Sequence, residues 1–150
     1  MTLSNCSNNY GPYQHLEKLI PVVINSCIQQ QPIPVYGDGS NIRDWLYVED
    51  HCQAIACILQ NGQVGETYNI GGNNEISNLA LVKTICRLMD SYRPQNAPHN
   101  KLISFVEDRQ GHDWRYGIDN AKIQNTLGWQ PTQDFDSMLR KTIEFYIKPL

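Results

Sequence analysis

Two arginines in contrasting surroundings carry the strongest binding signal in this sequence. Arg43 flanks an apolar, strand-like run from Ile42 to Val48, and Arg109 lies in a polar loop after a second run, Leu102 to Val106. A guanidinium grips a diphosphate through two parallel hydrogen bonds, so two of them can clamp a phosphorylated ligand. Each arginine could instead pair with its neighbour, Asp44 or Asp108, in a purely structural role. Lys18 sits just before a helix start, where free backbone N–H groups and the helix dipole favour anions. It could equally be a solvated lysine at a helix end. Asn8 and Asn9 follow a strand end, and their amides suit the oxygens of a phosphate or a nicotinamide. An ordinary Asn-rich turn before Gly11-Pro12 is the plainer alternative. Asn78, in the first turn of a helix, is either a ligand contact or a cap. For His112 a hydrogen-bonding role is the simpler reading than catalysis.

These residues need elements to position them, and strand-length apolar runs alternate here with segments of helical period. A strand stub at Thr2-Leu3 leads into a polar loop, Asn5 to Tyr13. A helix follows from about Glu17 to Gln30; Pro21 places its true start near Leu19 or Ile20. Ile33 to Tyr36 reads as a short edge strand, and Gly37-Asp38-Gly39 turns the chain into the strand Ile42 to Val48. Asp50 is expected to cap a helix reaching Gln60, with Gln53 in capping-box position. Thr67 to Ile70 is a strand, Ser77 caps a helix carrying Leu79, Val82, Cys86 and Met89, and a loop with Pro94 and Pro98 precedes the strand at Leu102. Asp119 caps a penultimate helix that Gly128 ends, and Pro131 blocks its continuation. The last helix carries Met138, Leu139, Thr142, Ile143 and Tyr146 on one face. The whole is one mixed α/β unit. Its opening, a strand stub running at once into a polar loop, is what a segment cut from a larger fold would show.

At 150 residues the chain has the length of one domain and could bury roughly 70% of its unfolded surface. A net charge of −3 leaves no footprint for nucleic acid. A diphosphate needs only two or three well-placed cations. Five cysteines, an odd number with no C-x-x-C pair, argue against a disulfide framework or a metal site of the zinc type. Cys27, Cys52, Cys57 and Cys86 fall in helical stretches, where a thiol acts as a small hydrophobe. There is no apolar run of membrane-spanning length and no secretory signal pattern, so the cytoplasm is the expected compartment and no membrane partner is expected.

Several runs together resemble the dTDP-glucose 4,6-dehydratases of the extended short-chain dehydrogenase/reductase superfamily. They are Ser4 to Tyr13 (SNCSNNYGPY), Glu17 to Pro21 (EKLIP), Pro34 to Gly39 (PVYGDG), Ile42 to Asp50 (IRDWLYVED), Gly65 to Gly72 (GETYNIGG), Asp108 to Asp113 (DRQGHD) and Leu127 to Pro131 (LGWQP). The resemblance covers essentially all 150 residues in order. The Asn-Gly-Pro loop, the Arg-Asp-x-x-Tyr-Val strand and the Tyr-Asn-Ile-Gly-Gly strand also occur in related epimerases and decarboxylases, whereas the Asn-Asn-Tyr-Gly-Pro-Tyr and Asp-Arg-x-Gly-His-Asp forms favour the dehydratases.

The resemblance implies an α/β fold, the C-terminal, nucleotide-sugar-binding portion of a Rossmann-like enzyme, with the N-terminal NAD-binding portion absent. It assigns Asn8, Lys18, Leu19, Arg43, Asn78 and Arg109 to a dTDP-glucose ligand, and Pro34, Val35 and Tyr36 to the nucleobase pocket. Asp108, Arg109, Gln110, Gly111 and His112 match a loop that closes over the substrate; Gln110 replaces the family's usual proline. Asn9 matches an NAD contact. The superfamily's Gly-rich turn, its Tyr-x-x-x-Lys pair and the dehydratase Thr-Asp-Glu set are all missing: none of the eight tyrosines is followed by lysine four residues on. The parent enzyme would be an NAD-dependent lyase of deoxysugar biosynthesis. This chain is expected to lack catalysis alone and NAD retention alone; its partners would be dTDP-glucose or a related nucleotide sugar and, if it is one chain of a split enzyme, a complementary N-terminal chain. A non-catalytic sugar-nucleotide module, a piece of a UDP- or GDP-sugar enzyme, and a plain folded domain without ligand remain the alternatives.

Overall fold

The structure is a computed structural model that describes residues 1–148. The polar opening stretch is not a loop but two strands, β1 (Leu3–Cys6) and β2 (Asn8–Tyr10). Helix α1 (Leu19–Gln29) starts where Pro21 falls in the first turn, and Gln30 closes it in the left-handed conformation. Then come β3 (Ile33–Tyr36), β4 (Ile42–Tyr47), α2 (Val48–Asn61), β5 (Thr67–Ile70), β6 (Glu75–Ser77) and α3 (Asn78–Tyr92). Two short 3-10 turns lead to β7 (Ile103–Val106), followed by β8 (Arg115–Tyr116), α4 (Ala121–Leu127) and α5 (Phe135–Ile147).

The strands form three small sheets. β1 pairs in parallel with β5, and β3 in parallel with β7. β4 is the centre of the third, with β2 and β8 parallel to it and β6 antiparallel. β1 and β2 are strands because β5 and β4 supply partners about 60 and 40 residues away, which local polarity does not reveal. Pro34 is tolerated because β3 lies in a two-stranded sheet, where a missing N–H can face outward.

Two apolar clusters hold these layers. In the larger, Ile20, Val23, Ile24 and Cys27 of α1 meet Leu81, Val82, Ile85, Cys86 and Met89 of α3, with Leu139 and Ile143 of α5 against them. The smaller joins Leu46, Ala54, Ile58, Tyr68, Ile70, Ile123 and Trp129 between α2, β5 and α4. Cys27 and Cys86 are the small buried hydrophobes expected, and they touch: a hydrogen bond to Cys86, then burial, drives the Cys27 thiol far above its ordinary range. Cys52 departs from the expectation, being exposed.

Capping follows the local signals in part. Ser77 caps α3 by accepting from the Ala80 N–H at 3.3 Å, and Gly128 ends α4 at φ +71°. Asp50 does not cap α2. The helix starts at Val48, and the buried Asp50 carboxylate instead accepts from the Thr132 N–H (3.2 Å), the Thr132 hydroxyl (3.0 Å) and the Gln133 N–H (3.1 Å). It thus ties α2 to the α4–α5 connection 82 residues on. Asp119 accepts from the Ala121 N–H at 2.8 Å, but the residue at the cap position is Asn120, whose amide donates to the Gly71 carbonyl.

Candidate functional site

β4 brings the candidate residues together. Alternation along a strand puts Arg43 and Trp45 on one face and Asp44 and Leu46 on the other. Leu46 enters the smaller core. Asp44, also buried, accepts from the Gly72 and Asn74 N–H groups, each at 2.7 Å. Asp44 is therefore committed to shaping the β5–β6 turn. Among the described residues the Arg43 guanidinium reaches no carboxylate; it donates to the Ile42 carbonyl (2.7 Å) and the Asp113 carbonyl (2.9 Å).

Among the described residues Arg109 is likewise without an acid. Asp108 accepts from its neighbour's backbone N–H (2.8 Å) and meets His112 Nδ1 at 2.7 Å, while the Arg109 guanidinium lies over the Tyr36 ring, 4.0 Å from its centroid. The His112 contact, then the Arg109 N–H, hold the Asp108 carboxyl below its ordinary range. Neither of the Arg–Asp pairings that sequence allowed is formed.

Both arginines border one cleft of about 280 Å³. α1 contributes Leu19 and Val22, with Glu17 and Lys18 just ahead of it; β3 contributes Pro34 and Tyr36; β2, β4 and α3 contribute Asn8, Arg43 with Trp45, and Asn78. Arg109 and His112 come from the loop after β7. Lys18 holds the position before the first helical turn of α1, so its charge adds to that helix's positive end. Asn78 is not the cap of α3: its Oδ1 is buried without a partner. Gly39 allows α3 to start here. It turns at φ +73°, accepts from the Leu79 N–H at 2.9 Å, and a Cβ on it would meet Val35 and Leu79 side-chain carbons at 2.7 and 2.8 Å.

Five of the sequence candidates lie off this cleft. The Val35 side chain packs in the larger core, opposite the Pro34 and Tyr36 face. Asp108, Gln110 and Gly111 are exposed on the loop, with Asp108 acting through His112. Asn9 borders an adjoining hollow of about 380 Å³ with Asn8, Gln14, Lys18, Leu19 and Trp45. Its amide is already engaged, donating to the Ser7 carbonyl (3.1 Å) and meeting His51 Nδ1 at 2.8 Å. Burial lowers the His51 pKa, favouring the neutral ring, whose Nδ1–H tautomer can donate to Asn9 Oδ1. Sequence reasoning missed Glu17, Val22 and Trp45. The signal for Trp45 was its spacing of two from Arg43 on a strand.

The cleft suits a ligand carrying negative charge, because two guanidinium groups and an ammonium border it against the single carboxylate of Glu17, with the flat Tyr36 ring among them. NAD finds less. The sequence contains no Gly-rich turn to cradle its pyrophosphate, and Asn9 spends its amide inside the chain, so these residues do not make a site for the whole cofactor.

Comparison with known proteins agrees with the fold. The chain is 54% identical over 149 residues to a dTDP-glucose 4,6-dehydratase of Neisseria gonorrhoeae, covering 97% of this chain and 43% of that protein. A crystal structure of dTDP-glucose 4,6-dehydratase from Bacillus anthracis in complex with NAD superposes with a TM-score of 0.87 at 45% identity, covering 97% of this chain and 44% of the other. DesIV, a dTDP-glucose 4,6-dehydratase from Streptomyces venezuelae with NAD and TYD bound, gives 0.83 at 39% identity, with 97% and 43% covered. The match is to the C-terminal portion, and the chain spans roughly two-fifths of the length of these relatives. Its α/β architecture is that of the extended short-chain dehydrogenase/reductases. Residues 1–142 match the family described as GDP-mannose 4,6 dehydratase, and the chain belongs to that family.

Proposed function

We propose that this chain is the substrate-holding part of a dTDP-glucose 4,6-dehydratase, with the 280 Å³ cleft receiving the nucleoside diphosphate of dTDP-glucose. One observation carries the reading: Arg43 and Arg109 border the same cleft and, among the described residues, neither is paired with a carboxylate. Two guanidinium groups bordering one cleft without acids of their own give a diphosphate two cations to meet. Asn8, Lys18, Leu19, Pro34, Tyr36, Asn78 and His112 complete the wall, and Val35 offers only its backbone. Asp108, Gln110 and Gly111 act through the loop that carries Arg109 and His112.

In the parent reaction NAD oxidises the hexose, water is eliminated and the hydride is returned. The residues described here bind and orient; none is the acid, base or hydride carrier. A complementary N-terminal segment would supply the NAD site and the Tyr-x-x-x-Lys pair. Supporting this reading, β1 pairs on one side only among the described residues and lies beside an apolar groove of Leu3, Ile55, Leu59 and Val64, the last two about four-fifths exposed. Asn9 would then meet NAD at the junction. Five free thiols favour a reducing compartment, the cytoplasm; among the described residues no helix is long and apolar enough to cross a membrane.

The deciding experiment is thermal unfolding of the purified chain with dTDP and with UDP. Ligand at ~100 times its Kd stabilises by about 2.7 kcal/mol, a shift easily seen. A rise with dTDP exceeding that with UDP is expected; a cooperative melt indifferent to both rules the reading out. Turnover of dTDP-glucose is expected only after mixing with a complementary N-terminal chain.

A further inference from the structure

Asn8 borders the cleft at the point where the chain leaves one sheet for another. β1 ends at Cys6 and β2 begins at Asn8, with Ser7 between them. Ser7 is still tied to the first sheet, donating its N–H to the Ile70 carbonyl at 3.0 Å. Asn8 already lies opposite Trp45 of β4, and both border the cleft. Alternation puts the next residue, Asn9, on the other face with Leu46. From there its side chain folds back, and Nδ2 donates to the Ser7 carbonyl at 3.1 Å. That bond spans Asn8 and closes the crossover into a small ring, so the backbone that aims Asn8 is fixed by it.

Only one end of the Asn9 amide can make this bond. The Ser7 carbonyl accepts and cannot donate, so nitrogen must face it and Oδ1 must face away. Oδ1 lies 2.8 Å from His51 Nδ1. An amide oxygen also only accepts, which places the His51 proton on Nδ1. Burial lowers the His51 pKa and so favours a neutral ring, with Nε2 unprotonated. His51 stands near the start of α2, which follows β4 without a break. The strand that carries Arg43 and Trp45 thus also delivers, through α2, the ring that orients Asn9.

Resting on the reading of the cleft as the diphosphate site, we propose that His51 is a positioning residue for that site. Its Nδ1–H fixes the Asn9 amide, Asn9 fixes the Ser7–Asn9 crossover, and the crossover aims Asn8 at the ligand. His51 borders neither the cleft nor the hollow beside it, so it acts through Asn9. With its amide turned end over end, Asn9 would set two carbonyl oxygens against each other across the crossover, and the ring would open.

Two measurements on the full chain test this. Long-range proton–nitrogen NMR reads the His51 tautomer: a proton on Nδ1 is expected, and a neutral ring protonated on Nε2 overturns the proposal. Calorimetric binding of dTDP then compares His51→Phe, which keeps the ring and loses the donor, with His51→Asn, whose Nδ2 can take the place of Nδ1. Affinity should fall about three- to tenfold in His51→Phe, the worth of one hydrogen bond, and His51→Asn should recover most of the loss. In an Asn8→Ala background His51→Phe should cost no further affinity. A purely structural role would lower the melting temperature and leave the affinity of the folded protein alone. An unchanged Kd in folded His51→Phe, an equal loss in both variants, or an undiminished loss without Asn8 therefore overturns the assignment while the diphosphate reading stands. No binding of dTDP to the folded wild-type chain removes that reading, and this assignment with it. Should His51→Phe fail to fold, His51→Leu takes its place, and the tautomer is read without any variant.

Discussion

The Arg109 guanidinium rests on the Tyr36 ring at 4.0 Å from its centroid, and this stacking, not an ion pair with Asp108, holds a cation from an exposed loop at the cleft. A planar guanidinium keeps its in-plane donors available while its face is against a ring, so the arrangement positions Arg109 without consuming it. Tyr36→Leu should therefore weaken dTDP binding about two- to fivefold, through a stacking energy of about 0.5–1 kcal/mol. Arg109→Lys should do at least as much with the charge retained. Titration calorimetry of both variants checks this; an unaltered Kd in Tyr36→Leu would separate the ring from the function of Arg109.

Arg43 is held differently, by two backbone carbonyls, one of which belongs to Asp113 at the far end of the same loop. It therefore links β4 to the loop as well as facing the ligand. Arg43→Ala should lower dTDP affinity about 10- to 100-fold, the loss expected for charge-assisted hydrogen bonds of about 1.5–3 kcal/mol. Arg43→Lys should recover only part, because an ammonium cannot bridge two phosphate oxygens with one plane. The falsifying result in calorimetry is full recovery by lysine.

How legible the fold was from sequence depended on how local each cause is. Ser77, Gly128 and Pro21 announce helix ends through chemistry completed within a turn, and each was found where expected. β1, β2, β6 and β8 are short and polar, and they become strands only because distant partners complete their hydrogen bonds. Asp50 shows the same limit for a side chain. Its type and place suggested a cap, but its three donors lie on a connection more than 80 residues away. Most of the cleft wall could be named from the residues and the family resemblance together. Trp45 was passed over because an aromatic residue in an apolar strand is usually core, and only the structure shows its indole N–H without a partner.

The long-range role of Asp50 makes a stability prediction. The carboxylate is buried and collects three donors, so Asp50→Ala leaves the Thr132 and Gln133 N–H groups unpaired beside α2. A loss of about 3 kcal/mol is expected, within the range for breaking a buried hydrogen-bonded network. Asp50→Asn should lose less, because its Oδ1 still accepts. Chemical denaturation distinguishes these; equal, small effects would mean that solvent replaces the carboxylate.

The Asp108–His112 contact closes the loop on itself beside Arg109, and its pH dependence follows from the sign of the shift. The Asp108 carboxyl is held below its ordinary value of about 3.9, first by His112 and next by the Arg109 N–H. A depressed carboxyl contributes order that is fully present above the unfolded-state pKa and is lost as pH falls through the folded-state value. The loop should thus keep its contact down to about pH 4, and release it only in more acidic solution. Carbon-detected NMR titration of the Asp108 carboxyl should show its midpoint below that of an unstructured aspartate. In His112→Leu the midpoint should move back up, though not fully, since the Arg109 N–H remains. A midpoint that stays put would mean that the backbone alone holds the carboxylate. His112 would then be free to turn its imidazole to the ligand, and Asp108 would have no part in orienting it.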